Sequence, residues 1–364
     1  MMSTMSLTFI VIFIPTALVL SFIPYLTRKT ENFGVTIQED MYDRPVFQSM
    51  RKKYALMMIL VATFLTILMI FIAFLDNESL ETIFFSVAVI IYVILAFIIY
   101  IPFHFKMKKI KADEKWFEGQ PSTLVIDTSF RSGKVTYSNG WFLIPVAIMI
   151  MTIILSFVLY DRIPDEVPIH TSFSGKVTYN EKSPSVLLFL PLTQLFMIGV
   201  MAAVNYSIMH AKQQVSAKNP HISKQQNIIF RRRWSLFIII SAILMTVMFT
   251  FMQTAMIFQQ LLPYQDVVLL IVIGLILFGT IAISIKTGQG GSRVNIEVEE
   301  KGSMNQLDDD QFWKLGKFYV NKNDPSFFVE KRFGVGWTVN FAHPIVWLIL
   351  LIILVIPFLT LFLI

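Results

Sequence analysis

The sequence predicts an all-α membrane protein of about eight transmembrane helices, with both termini outside the cell and small β-rich elements on the cytoplasmic side. Three observations carry this. The chain of 364 residues is 55% hydrophobic and only 15% charged, whereas soluble domains run nearer a quarter charged. Its apolar residues fall in long runs. Its basic residues collect in alternate connections between those runs.

A helix needs roughly 20 apolar residues to cross hydrocarbon about 30 Å thick. Eight runs qualify: Leu7–Thr27, Ala55–Leu75, Leu80–Phe103, Trp141–Tyr160, Ser185–Met209, Trp234–Phe258, Val267–Lys286 and Ile345–Ile364. Pro15, Pro24, Pro145 and Pro191 fall within spans or near their ends. Kinks are expected there, because neighbouring helices satisfy the backbone groups that proline frees. Met1 to Thr8 carries no Lys or Arg, and a secretory signal needs a positive first region and a small-residue cleavage site. The first run therefore reads as a retained span.

Orientation follows from the cations. Six Lys and Arg follow the first run, seven the third and six the fifth, and eight lie between Lys286 and His343, so 27 of the 30 sit on alternate connections. The other three are Arg162, Lys176 and Lys182. Short cationic loops stay in the cytoplasm. That rule also accounts for the net charge of +6, so direct nucleic-acid binding is not expected. Asp161–Pro184 is the one long outer connection; Asp76–Ser79 and Gln259–Asp266 only turn the chain.

On the inner side, Glu118–Gly140 alternates apolar and polar residues around Arg131-Ser132-Gly133-Lys134 and reads as a β-hairpin. Lys317–Val320, Phe327–Lys331 and Trp337–Phe341 are strand-like, and the polar, Gly-rich Gln289–Asp310 reads as a mobile linker. Ser132–Tyr137 recurs as Ser174–Tyr179, each copy suited to a Gly-containing turn that feeds a strand. The chain thus divides into a three-span region (1–140), a two-span unit with the long outer loop (141–209) and a two-span hairpin (210–286). A linker with an aromatic-rich module (287–343) and a last span (344–364) complete it.

No catalytic pattern emerges. The chain lacks cysteine, which excludes disulfides and thiolate metal sites. His104, His170, His210, His221 and His343 include no i, i+4 pair, so neither metal nor cofactor is expected. Gly334-Val335-Gly336 lacks the strand-to-helix setting of a phosphate loop, and no nucleophile elbow appears. The central parts of the spans hold no Asp, Glu, Lys, Arg or His, the usual mark of ion-coupled transport. A non-enzymatic protein is the expectation. Gln194, Asn205 and Gln253 read first as interhelical hydrogen-bonding groups. The alternative is a polar wall in a carrier, or an accessory subunit of a transporter, for a neutral or lipidic substrate. Lys106–Lys115 and Arg231–Arg233 read as topology determinants that touch anionic lipid, with docking of a cytoplasmic regulator as the second reading.

The outer connection runs Ile163-Pro164-Asp165-Glu166-Val167-Pro168-Ile169-His170, then Ser174-Gly175-Lys176, Lys182, and Pro191 in the next span. It resembles the bacterial membrane family called domain of unknown function 1648, which shows Pro-x-x-x-Pro-x-His, a Gly, and a Lys before a Pro-bearing apolar helix. That family includes an immunity protein against a sporulation-delaying toxin. The resemblance implies a multi-pass protein of the bacterial cell membrane, acting in immunity to an extracellular peptide or toxin or in signal transduction. Pro164, Asp165, Pro168, His170 and Gly175 would then meet the ligand. Physically, the two prolines hold the loop extended, and Gly175 permits a turn at positive φ.

The inner segment contains Trp313-Lys314-x-Gly316, Phe318-Tyr319-x-Asn321, Asp324-Pro325, Lys331-Arg332 and Gly334-x-Gly336-Trp337-Thr338-x-Asn340-Phe341. It is similar to a second uncharacterised module, domain of unknown function 5808. The resemblance marks Lys314, Gly316, Tyr319, Asn321, Asp324, Pro325, Lys331, Arg332, Gly336, Trp337 and Asn340 as residues of a cytoplasmic module. Trp337 is expected to anchor its small aromatic core. Phe33-Gly34-Val35-Thr36 and Arg51-Lys52-Lys53-Tyr54 resemble the start of such proteins.

Overall fold

The computed structural model describes residues 4–75, 77–116, 134–171, 177–214, 220–296 and 308–351. Among them, seven helices are long and apolar enough to cross a membrane: α1 (Thr4–Leu26), α2 (Pro45–Ala73), α3 (Glu78–Asp113), α4 (Leu143–Val158), α5 (Pro184–His210), α6 (Pro220–Ile257) and α7 (Gln265–Thr287). The chain is a multi-pass membrane protein. A further helix opens over 344–351, and the rest of the eighth run lies outside the described residues. So do 118–133 of the expected hairpin, and with them one turn of the six-residue repeat. The hairpin's described residues, 134–140, form no strand and run into a short 3-10 turn at Asn139–Phe142.

Several helices outrun the apolar segments that predicted them. Hydropathy marks a crossing of hydrocarbon, not the end of a helix. α6 has 38 residues, roughly 57 Å at 1.5 Å per residue, and its first three turns precede Trp234. α3 likewise continues ten residues past Phe103. Local chemistry fixes the starts. Pro45 and Pro184 open α2 and α5, where a missing N–H costs nothing. Asn77 caps α3 by accepting from the Leu80 N–H at 3.1 Å.

α1, α2 and α3 pack on one another, α4, α5 and α6 form a second group, and α7 lies against both α1 and α6. Tyr92 of α3 ties the first group together. Its hydroxyl lies 3.1 Å from the Ser21 hydroxyl and reaches the carbonyls of Ala17 on α1 and Met58 on α2. The amides tie the second group. Gln253 of α6 donates to Ser156 Oγ of α4 (3.1 Å) and the Leu187 carbonyl of α5 (3.0 Å). Gln194 of α5 donates to the Thr246 carbonyl (3.3 Å), and Asn205 to the Tyr137 carbonyl and Asn139 Oδ1. All three amides are buried. Each donates to a neighbouring segment, as interhelical polar groups in membranes commonly do, while its own oxygen has no partner among the described residues.

The four basic connections gather at one end of the bundle. There lie two very short ladders, β1 (Glu31–Asn32) with β2 (Val35–Thr36) and β5 (Trp313–Lys314) with β6 (Phe318–Tyr319), and a third, β7 (Phe328–Glu330) with β8 (Trp337–Val339). A bridge from Tyr319 to Asn340 joins the last two, and one from Lys212 to Val329 docks them on the chain after α5. The expected linker is corrected at its start. Gln289, Gly290 and Gly291 are buried. Gln289 donates to the carbonyls of Lys331 (3.0 Å) and Gly336 (2.9 Å) and accepts from the Gly336 N–H (2.6 Å). A polar side chain is readily buried when it satisfies backbone groups, which composition alone does not reveal. Residues 297–307 lie outside the described part. At the opposite end, among the described residues, stands one hairpin, β3 (Glu166–Thr171) and β4 (Val177–Glu181).

Candidate functional site

The lone hairpin is built on the ends of three helices. β3 and β4 pair antiparallel from Glu166↔Glu181 to Thr171↔Val177, with a bulge between Pro168 and His170. Val167 is fully buried in a cluster with Ile163, Leu187, Met256 and Ile257, which seats the hairpin on α5 and α6. Lys182 donates to the Ile163 carbonyl (2.9 Å), stands 3.5 Å from Asp165 and lies over the Tyr160 ring. Of the predicted site residues, Asp165 is fully exposed, Pro164 is half-buried and Pro168 is buried. The His170 backbone pairs with Thr178; its ring and Gly175 lie outside the described part. β4 is the open strand, exposed from Thr178 to Glu181.

At the basic end, charge is built into the fold. Glu330 is completely buried and accepts from three side chains that lie far from it in sequence: Arg28, Arg231 (3.2 Å) and Asn227 (2.6 Å). Arg231 is itself fully buried. Its guanidinium also reaches Asn227 Oδ1 and the carbonyls of Ile208, Ala211 and Lys212 at the end of α5. A cation suits that position, because a helix C-terminus carries unsatisfied carbonyls and partial negative charge. Arg293 does the same for α7 and α1, through Ile285 and Tyr25.

A second cluster closes around Arg332, which pairs with Asp309 and Asp310. Asp310 also accepts from Lys111 of α3 (2.5 Å) and from the Thr36 hydroxyl (2.8 Å). Burial opposes ionisation of Asp310, but Arg332 and Lys111 outweigh it and hold its pKa near 2. Arg332 is raised, since its carboxylate neighbours overcome the same burial. Glu31 is also buried, and its Oε2 has no partner. Burial pushes its pKa up to about 7, against the pull of Arg28 and Arg332. Beside it, Gly34 (φ +74°) and Gly316 (φ +65°) meet backbone to backbone, and a Cβ on Gly34 would stand 2.5 Å from the Gly316 oxygen. Tyr100 seals the contact by donating toward the carbonyls of Phe33 and Leu315, both at 2.9 Å.

The third cluster holds the module together. Asp324 accepts from Lys212 (2.6 Å) and Tyr319 (2.7 Å), and these bonds keep its pKa near 2 despite burial. Asn340 donates to the carbonyls of Asn321 (2.8 Å) and Asp324 (3.2 Å). Its Oδ1 accepts from the Asn321 N–H. Lys314 and Pro325 are exposed. Trp337 departs from expectation: it is half-buried and packs on Phe230 of α6, with ring centroids 4.9 Å apart. Its role is to dock the module on a helix. The aromatic core inside the module is instead Trp313, Tyr319 and Val329.

The structure thus joins Gly316, Tyr319, Asn321, Asp324, Arg332, Gly336, Trp337 and Asn340 in one module, far from the hairpin. Counting charges put Arg28 and Lys111 on the inner side without their partners, and missed Glu31, Asp309, Asp310 and Glu330. The available signal was Asn227 and Arg231, spaced i, i+4 on one helix face.

Comparison with known proteins agrees with these two regions. Residues 147–195 match the family model described as Domain of unknown function (DUF1648). Residues 322–347 match the one described as Family of unknown function (DUF5808). The first covers the hairpin with its flanking helices, the second the strands β7 and β8. No curated protein and no solved structure matches the chain.

Proposed function

We propose that this chain is a non-enzymatic envelope protein of the immunity or signal-transduction type, with its basic end in the cytoplasm and both termini outside. An extracellular peptide or toxin meets the β3–β4 hairpin, and a cytoplasmic regulator meets the module. The continuity of α5 and α6 carries the reading. Leu187, Met256 and Ile257 of these helices seat the hairpin. At their other ends, Asn227 and Arg231 of α6 hold Glu330, while Arg231 also binds carbonyls at the end of α5. A shift of either helix at the hairpin alters the groups that Glu330 binds. The charge division of 27 to 3 supports the orientation.

The test compares cells with and without the protein, challenged by a panel of membrane-active peptides. Protection against at least one peptide is expected, and Val167→Asp, which unseats the hairpin, should abolish it at equal membrane abundance. Identical survival with and without the protein across the panel would overturn the reading.

A further inference from the structure

Most of the cations that the fold holds at the basic end are matched to carboxylates. Arg28 and Arg231 meet Glu330, Arg332 meets Asp309 and Asp310, Lys111 meets Asp308 and Asp310, and Lys212 meets Asp324. Arg51 is held instead by the carbonyl and ring of Tyr42, whereas Lys317 and Lys331 break the pattern. Both are largely withdrawn from water, and neither has a carboxylate partner among the described residues. Burial lowers the pKa of each, and Lys331 pushes Lys317 further down, to about 8. An uncompensated buried charge is costly, and two that repel each other are more so.

The surroundings say what would compensate them. The β5–β6 tip is pinned by the Gly34–Gly316 contact, which fixes Lys317 against α3. Its ammonium lies 4.0 Å from the centre of the Tyr100 ring, 5.0 Å from Phe333 and 5.1 Å from Phe97. These rings supply π-electron density but no counter-charge. The apolar run of α3 begins at Leu80, so Tyr100 lies roughly 30 Å along the helix, about one hydrocarbon thickness. Lys317 therefore stands at headgroup depth, with Lys331 near enough to repel it. Ile94, one turn from Phe97 on α3, is exposed. Phe318, Phe341 and Trp347 form an edge-packed row nearby, with both end members exposed. Aromatic rows of this kind sit at membrane interfaces.

We propose that Lys317 and Lys331 bind the phosphate of an anionic phospholipid in the leaflet at the basic end. The chemistry required is a phosphate anion at interfacial depth, and the lipid-facing flank assigns it to the bilayer instead of to free phosphate. Occupancy would neutralise the pair and lock the β5–β6 tip onto α3, so the module would be held best in acidic membranes.

The experiment uses the full chain in nanodiscs of phosphatidylcholine, with or without phosphatidylglycerol. Thermal unfolding and lipid retention in native mass spectrometry are both read. Wild type should gain stability and retain phosphatidylglycerol. Lys317→Met and Lys331→Met should each weaken that retention about fivefold, and the double variant roughly thirtyfold. In pure phosphatidylcholine the single variants should be at least as stable as wild type, because each removes an unneutralised charge; this separates lost lipid from lost folding. Lys314→Met, at an exposed neighbour, should behave as wild type. An equal phosphatidylglycerol effect in wild type and double variant would overturn the proposal. So would full stabilisation by inorganic phosphate in phosphatidylcholine discs with no further effect of phosphatidylglycerol.

Discussion

Glu330→Gln is the sharpest perturbation of the basic end. The amide keeps the side-chain volume and removes one charge from a site with no solvent access. Arg28 and Arg231 lose their shared counter-ion, and Asn227 faces an amide where it met a carboxylate. Breaking a buried pair on one side costs about 3–5 kcal/mol, because the remaining charge stays buried. The lower end applies here: Arg231 keeps the carbonyls of Ile208 and Ala211, and Arg28 keeps Gln214. Equilibrium unfolding in mixed micelles, followed by tryptophan fluorescence, should therefore show a loss of about 3 kcal/mol. Arg231→Met should cost a similar amount. The double variant should lose less than the sum by at least about 1 kcal/mol, since residues in one network are coupled. A loss under about 0.5 kcal/mol for Glu330→Gln, or strict additivity, would refute the argument.

Other outcomes follow from the same geometry. Glu31 has its folded-state pKa raised from 4.5 to about 7, so the folded protein binds the extra proton and stability should fall as pH rises from about 4.5 to 7. Glu31→Gln should flatten that slope and be the more stable protein at pH 8, by up to about 3 kcal/mol; a variant no more stable at pH 8 contradicts it. Asp310 and Asp324 are shifted the other way, to about 2, so their contribution is present above pH 4 and lost as pH falls toward 2, which hydrogen exchange in β5–β8 should register. Gly316→Ala would set a Cβ 2.6 Å from the Tyr100 hydroxyl at φ +65° and should detach the β5–β6 tip; limited proteolysis near Lys317 checks it, and wild-type resistance would disprove the contact. In a chain without cysteine, Asn180→Cys should react with an impermeant thiol reagent on intact cells while Asn323→Cys does not. Labelling of Asn323→Cys would reverse the orientation.

Much of the bundle was legible because the bilayer imposes length and polarity rules on any helix within it. Each of the first seven apolar runs corresponds to one helix, and the division of cations matches the gathering of four connections at one end. Helix ends were less legible. The first turns of α6 contain His221, Lys224, Gln225 and Gln226 and carry no hydropathy signal, though they hold Asn227 and Arg231 in place. The networks were not legible at all. Arg28, Arg231 and Glu330 are separated by up to 302 positions, and periodicity reports only on neighbours within one element. Gln289 illustrates the same limit, since a residue read as part of a linker proved to be a backbone clamp. The string around Pro164 and Pro168 did announce an extended segment, because proline fixes φ wherever it stands. It did not announce that Val167, between them, would be the buried seat.

The central claim is that the hairpin at one end and the module at the other answer to the same helices. Val167→Cys with Ile257→Cys places two thiols within one packed cluster, in a background with no other cysteine. Hydrogen exchange of the β7–β8 amides can then be compared in the same nanodisc sample, oxidised and reduced. Clamping the hairpin to α6 should slow exchange at Phe328–Glu330 and Trp337–Val339, at the far end of that helix. Protection that changes only around β3 and β4, with β7 and β8 identical in both states, would contradict the coupling.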